Sequence, residues 1–122
     1  MNESYLKNNP RIISNIKSII KEMANKNYGV LHTKNLLGDA SPQEYIERSN
    51  DIFHGKLITM PPDDALQKSY VFDLPKDPND KYAIDVFLWS NGEESDAMAT
   101  FCVRRNPKSD AQAVYLYDLK IP

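Results

Sequence analysis

Residues 82–101, YAIDVFLWSNGEESDAMATF, decide the fold, because they contain two strand-like runs on either side of the dipeptide Asn91-Gly92. β-Branched and aromatic residues favour strands, and Asn-Gly is the strongest short hairpin signal. So short a connection joins antiparallel neighbours, since parallel strands need a crossover of about a dozen residues or more. The sequence therefore predicts strands over 82–90 and 96–105 that pair as an antiparallel hairpin.

The segments that flank this hairpin predict two further strands. Residues 69–74 and 112–121 are short apolar and aromatic runs, and turn-rich segments at 76–80 and 106–110 connect them to the hairpin. We expect a four-stranded antiparallel meander with a curved sheet, and extra pairing over residues 56–59.

A strong helical pattern lies near the N-terminus, in RIISNIKSIIKEM (residues 11–23). Its isoleucines and Met23 recur at the spacing of one helical stripe, and Asn9 and Pro10 form a suitable N-terminal cap and first turn. This predicts a helix over 10–27 with one face buried.

A second helix begins with the capping box of residues 41–44, Ser-Pro-Gln-Glu. Its apolar stripe ends at Phe53, and Gly55 is expected to adopt the left-handed conformation that closes the last turn. Residues 28–40, between the two helices, are predicted to form a packed loop.

Composition limits the class of protein. The chain has 122 residues, 41% of them hydrophobic, and a formal net charge of -2. These values predict a single domain over 1–122, and the helix and strand patterns above make it α+β. They argue against an intrinsically disordered chain and against a positive electrostatic field that would attract nucleic acid in general. Because no apolar run approaches about 18 residues and the start lacks the apolar core of a signal peptide, we expect a cytoplasmic protein with no membrane partner.

The strand at 82–90 is apolar on both faces. One face carries Ile84 and its alternate neighbours, and the other carries Phe87 and Trp89. Either a curved sheet wraps around its helices and both faces are covered, or the second face, with Tyr115 or Tyr117, contacts a partner. The first interpretation is favoured, since twisted sheets curl around helices in small domains.

Candidates for catalysis or metal binding are few. His32 and His54 are the only histidines, without the spacing of a metal motif, and His54 fits a helix-capping role. Cys102 is the only cysteine; in mid-strand it is expected to be a buried thiol with a raised pKa. We therefore expect no enzyme activity, no metal and no cofactor. The small basic cluster around Arg104 lacks nucleic-acid motifs, so no nucleic-acid partner is expected.

Acidic residues are unevenly distributed. Residues 1–60 contain 6 acidic and 8 basic residues, whereas residues 61–122 contain 11 acidic and 7 basic ones. Asp85, Asp110 and Asp118 come from neighbouring hairpin segments and could converge with the acids that follow the Asn91 turn. Such a patch is either a solvated rim or the complement of a basic partner. The predicted partner-binding residues are the acids Glu93, Glu94, Asp96, Asp110 and Asp118, with Trp89 and Tyr117 as aromatic anchors.

Three runs, HGKLITMPPDDAL, AIDVFLWSNGEESDAMATF and VYLYDLKIP, resemble small bacterial domains over about residues 54–121. In these domains a Leu-Trp strand precedes a Gly and a Ser-Asp pair, and an Asp-Leu step ends the last strand. The chain is similar in this respect to immunity proteins encoded beside polymorphic toxins, including those of contact-dependent growth inhibition. The matching residues are Leu88, Trp89, Gly92, Ser95, Asp96, Asp118 and Leu119. Ala97-Met98 departs from the alternating Leu and Thr of that pattern, which puts the strand register there in doubt.

This resemblance implies a non-enzymatic inhibitor that folds in the cytosol and binds a cognate toxin domain, either in its active site or beside it. Many such toxins are basic nucleases, for which an acidic surface with aromatic anchors is a suitable counterpart.

Two other interpretations remain. A cone-shaped fold of the nuclear-transport-factor type would enclose a ligand-binding or catalytic pocket, with Asp85, Tyr82 or His32 pointing inward. A homodimer would join two copies through the sheet edge or the aromatic face.

Overall fold

The computed structural model describes residues 3–122, which form an α+β fold with one antiparallel sheet. The helices are α1 (Glu3–Lys7), α2 (Pro10–Ala24), α3 (Tyr28–Thr33), α4 (Pro42–Phe53) and α5 (Asp63–Gln67). The strands are β1 (Ile58–Thr59), β2 (Tyr70–Asp73), β3 (Asp80–Ser90), β4 (Glu93–Arg104) and β5 (Val114–Lys120), with a 3-10 turn at Asp110–Gln112. Within residues 3–122, no helix combines the length and apolarity that crossing a membrane requires.

The sheet contains the predicted meander and one additional strand. Strands β2 to β5 pair in sequence order, all antiparallel. The extra pairing expected over 56–59 is confirmed as β1, whose Ile58 and Thr59 lie opposite Ser90 and Trp89 of β3. The described chain therefore has five strands rather than four. Since β4 occupies one edge of β3, β1 and β2 share the other edge end to end.

Strand boundaries differ from the expected ones by a few residues. The largest change is in β4, which begins at Glu93 instead of residue 96, because Glu93 pairs with Ser90 directly across the two-residue turn. Asn91 and Gly92 have φ angles of 53° and 80°, as that tight turn requires.

The prediction is confirmed for the two long helices, except at the end of α2, and it misses three short helices. Helix α2 ends at Ala24 rather than at residue 27, because Lys26 adopts a left-handed φ of 57°. Part of the expected loop at 28–40 is helix α3, which buries Tyr28 and Leu31 one turn apart. With α1 and α5, the described residues contain five helices instead of two. These additions have five or six residues each, too few to produce a visible periodicity.

Helix α4 begins as predicted. The Ser41 hydroxyl accepts a hydrogen bond from the Glu44 amide at 3.2 Å, and the Glu44 carboxylate accepts one from the Ser41 amide at 3.2 Å, which is the reciprocal capping box. At the other end Gly55 is left-handed, with φ of 82°, but the left-handed conformation already begins at His54, with φ of 50°.

All five helices pack on the same face of the sheet. The predicted stripe of α2 is buried against it, and Ile84, Val86 and Leu88 of β3 point into the same core. Each such side chain contributes about 1.5–3 kcal/mol before the entropy of ordering is subtracted. The buried residues of α2 are Ile12, Ile13, Ile16, Ile19, Ile20 and Met23.

The free edge of β5 is closed by the segment before α4. Leu116 donates its amide to the Leu36 carbonyl at 2.9 Å and accepts from the Gly38 amide at 2.7 Å. The Tyr45 hydroxyl of α4 donates to the Tyr117 carbonyl at 2.8 Å, and burial raises the pKa of Tyr45 to about 12. A Cβ at Gly38 would lie 3.2 Å from that carbonyl oxygen, so this close approach favours glycine.

We expect the substitution Tyr45→Phe to lower the free energy of unfolding by about 1–2 kcal/mol, because a hydrogen bond that ties α4 to β5 is lost from a buried position. Urea unfolding measures this change in the free energy of unfolding. The matched control is Tyr117→Phe, whose side chain is exposed and whose effect is expected within about 0.5 kcal/mol. Equal losses in both variants would contradict this account of the α4–β5 junction.

Candidate functional site

The side chains that alternate with the core residues form a second sheet face, here called the open face. Tyr70 and Phe72 on this face are 57% and 50% exposed, and Phe87 and Trp89 are half-buried. The favoured expectation that the sheet wraps its helices and covers both faces is therefore wrong, since the helices pack on one face only. The open face comprises Thr59, Tyr70, Phe72, Ala83, Asp85, Phe87, Trp89, Glu94, Met98, Thr100, Cys102, Tyr115, Asp118 and Lys120.

Strand register arranges the open face in rows. A polar row lies between two more apolar rows, and its Thr100 hydroxyl donates to Asp85 Oδ1 at 2.6 Å. Thr100 is buried by its neighbours although no helix covers it. The rows are Phe72, Ala83, Cys102 and Tyr115; then Tyr70, Asp85, Thr100 and Asp118; then Phe87, Met98 and Lys120.

Asp118 lies at the β5 end of the polar row. Its Oδ1 accepts from Arg48 Nη1 at 3.1 Å and from the Leu119 amide at 2.8 Å. Tyr117 is the extra residue of a bulge in β5, because Asp118 pairs with Thr100 while Leu116 pairs with Phe101. These two predicted residues are thus neighbours at one edge of the open face.

The predicted acids after the β3–β4 turn lie at the end of the sheet that contains this turn. Glu94 pairs with Trp89 and belongs to the open face, whereas Glu93 pairs with Ser90. Together with Asp96, they line a hollow of about 350 Å³ that also contains the basic residues His54 and Lys56.

The doubt about register near Ala97 corresponds to a real irregularity. Three residues of β4 lie between the partners of Phe87 and Trp89, where β3 has only Leu88. The Ser95 hydroxyl holds this bulge, since it donates to the Leu88 carbonyl at 2.7 Å and accepts from the Ala97 amide at 3.1 Å.

Asp110 does not join the other predicted acids. It lies beyond the opposite end of β4, so the length of that strand, roughly 35 Å at the rise of an extended chain, separates it from Glu93. Its Oδ2 lies 2.6 Å from Arg11 Nη1, and both side chains are largely exposed. The expected convergence of Asp110 with the turn acids is therefore wrong.

Sequence reasoning missed a buried acid–phenol pair at the start of β3. Asp80 is only 8% exposed, and its Oδ2 accepts from the Tyr115 hydroxyl at 2.6 Å. Burial and this hydrogen bond raise the pKa of Tyr115, and the Arg104 guanidinium lies 4.4 Å from the Tyr115 ring centre. No local pattern could have indicated a pair of residues so far apart in the sequence.

The residues that an enclosed pocket would need do not come together. Asp85 lies on the open face, and His32 is exposed on α3. Tyr82 packs on the core side, with its ring centre 4.6 Å from that of Tyr5. Their placement provides no common lining for a ligand.

Cys102 is buried in mid-strand, as expected. Burial, with a smaller contribution from the nearby Asp80 carboxylate, raises the pKa of its thiol from the ordinary 9 to about 11. The unfolded chain therefore loses this proton first, and the thiol contributes stability that is complete below pH 9 and lost as the pH rises toward 11.

We expect the native protein at pH 8 to contain about a hundredfold less Cys102 thiolate than the unfolded chain. Thiol-reagent labelling of native protein should accelerate with pH toward a midpoint near 11, whereas the same measurement in urea should show a midpoint near 9. A midpoint near 9 in the native protein would contradict the burial of this thiol.

The comparisons with known proteins bear on the family alone. No curated protein and no solved structure matches the chain. A family profile described as a domain of unknown function, DUF7668, matches residues 20–122, which include the whole sheet and therefore the complete open face. The chain belongs to the DUF7668 family.

Proposed function

We propose that this chain is an immunity protein, which binds a cognate bacterial toxin domain in the cytosol and neutralises it without covalent chemistry. The observation that carries the proposal is the open face, where exposed aromatic rings lie beside carboxylates and no helix packs. The resemblance over residues 54–121 supplies the class of partner.

The aromatic side chains support a role in protein binding. Tyr70 and Phe72 project from β2 at one edge, and Tyr117, which is 51% exposed, projects from the bulge at the other edge. Large exposed rings are costly to leave in water, and aromatic residues are the commonest energetic anchors of interfaces. Because the sheet holds their backbones, little conformational freedom is lost when they bind.

The charges support a basic partner. Asp85 and Glu94 lie on the open face and form no ion pair within residues 3–122, whereas Asp118 is already paired with Arg48. An acidic surface accelerates the approach of a cationic protein and rejects anionic ones. A basic nuclease domain is the occupant that fits this face. In this proposal, neutralisation requires binding energy alone.

The test uses the toxin domain at the C-terminal end of the large secreted protein that this proposal expects in the upstream reading frame. We expect co-expression of the present chain to protect cells from that domain. We also expect Phe72→Ala and Tyr117→Ala each to raise the Kd by roughly 30-fold or more, mainly through faster dissociation, as for interface anchors. Surface plasmon resonance measures both rates.

The matched control is Val30→Ala, which truncates an exposed side chain on α3, away from the open face. It should leave the Kd unchanged. An upstream frame without such a domain, a domain that does not bind, or a stable homodimer that buries Phe72 would each contradict the proposal.

A further inference from the structure

The turn between β3 and β4 is held in place by the short segment that contains β1. The Asn91 amide donates to the Leu57 carbonyl at 3.3 Å, and the Ser90 hydroxyl donates to the same carbonyl at 2.8 Å. The Gly92 amide donates to the Thr59 hydroxyl oxygen at 3.0 Å. Three hydrogen bonds therefore connect this segment to a turn that lies 33 residues further along the chain.

The two residues of this turn form the dipeptide in which the backbone attacks an asparagine side chain most easily. Gly92 has no Cβ beside its nitrogen, so this nitrogen can approach the side-chain carbon Cγ of Asn91 without steric hindrance. Both residues are exposed, so water has access to the turn.

The reaction in question is deamidation through a cyclic imide. The Gly92 nitrogen gives its proton to water and forms a bond to Cγ of Asn91, the bond from Cγ to Nδ2 breaks, and Nδ2 takes up a proton and leaves as ammonia. Water then opens the imide ring at either carbonyl, which produces aspartate or isoaspartate. Water is the only co-reactant, and nothing is oxidised or reduced.

The folded turn opposes the first step of this reaction. Asn91 and Gly92 have left-handed φ angles of 53° and 80°. A left-handed backbone directs the following nitrogen away from the residue's own side chain, so the Asn91–Gly92 peptide must rotate before the nitrogen can attack. That rotation breaks the hydrogen bond between the Gly92 amide and the Thr59 hydroxyl.

We propose that Asn91 is a site of spontaneous deamidation and that the Thr59 hydroxyl restrains the reaction by holding the attacking amide. Strand β1, which has only two residues, is thereby a clamp on the turn of the central hairpin. This inference goes beyond the proposed function and does not depend on it.

The modification would change the end of the sheet that contains the turn. Both products add a negative charge next to Glu93. Isoaspartate also lengthens the main chain by one carbon atom, which the two-residue connection between Ser90 and Glu93 does not accommodate.

Peptide mapping by mass spectrometry measures the reaction, because the mass changes when the amide becomes a carboxylate. We expect Asn91 in the native protein, incubated in mildly alkaline buffer, to be converted at least about tenfold more slowly than in the same chain unfolded in guanidinium chloride, since the native turn must open first. Equal rates in the two states, or faster conversion of another asparagine in the native protein, would overturn the proposal.

A matched pair of variants tests the role of Thr59. Thr59→Val removes the hydroxyl and keeps the β-branched shape, so it should accelerate the native reaction by about 3- to 10-fold, the equivalent of one hydrogen bond. Its rate in guanidinium chloride should stay unchanged. Thr59→Ser keeps the hydroxyl and should react at the rate of the unsubstituted protein. Equal native rates for the two variants would overturn the clamp.

Tyr45→Phe separates opening of the turn from unfolding of the whole chain. Its lost hydrogen bond ties α4 to β5, away from the turn, although the variant is expected to be less stable. We expect the native rate at Asn91 to be the same as in the unsubstituted protein, because the turn opens locally. An acceleration equal to that of Thr59→Val would mean that the reaction follows global unfolding, and the clamp would be wrong.

Discussion

The pairing of β3 with β4 is the constraint on which the rest of the structure depends. Both strands carry apolar residues on two faces, so their register decides which set meets the helices. With Ile84 opposite Phe101, the aliphatic side chains of β3 enter the core and Phe87 and Trp89 turn outward. A slip by one residue would exchange the two sets, bury Asp85 under the helices and remove the row of acids from the surface.

On the proposed function, the surface that this register produces divides two tasks between its side chains. The rings at the two edges would lose their water on binding and govern how long the complex lasts, while the carboxylates between and beside them would govern how fast it forms. The Tyr45 bond to the β5 edge holds one side of this surface against α4. At the other side, β1 and β2 pair with different parts of β3 and leave a gap beside a hollow of about 430 Å³.

The sequence predicts the features that depend on a few neighbouring residues and those that repeat over a long segment. The α2 stripe repeats over several turns, the α4 capping box spans four residues, and the Asn91-Gly92 turn specifies its own hairpin. Each can therefore be predicted without tertiary information. Helix α3 depends on burial of Tyr28 and escapes detection. The candidate site can be predicted only in part. Trp89 and Glu94 can be named from the sequence, but that they lie opposite each other depends on the bulge held by Ser95. Asp110 is far from Glu93 because Glu93 begins β4 and Asp110 lies beyond the other end of that strand.

Side-chain footprinting with hydroxyl radicals on the complex with the toxin domain tests the central claim most directly, namely that the open face is the recognition surface. Oxidation of Tyr70, Phe72 and Tyr117, all about half exposed in the free chain, should fall strongly on binding, while Val30, on the helical side, should oxidise at the same rate as before. Protection of Val30 with the three rings still oxidised would place the partner on the helices and contradict the account.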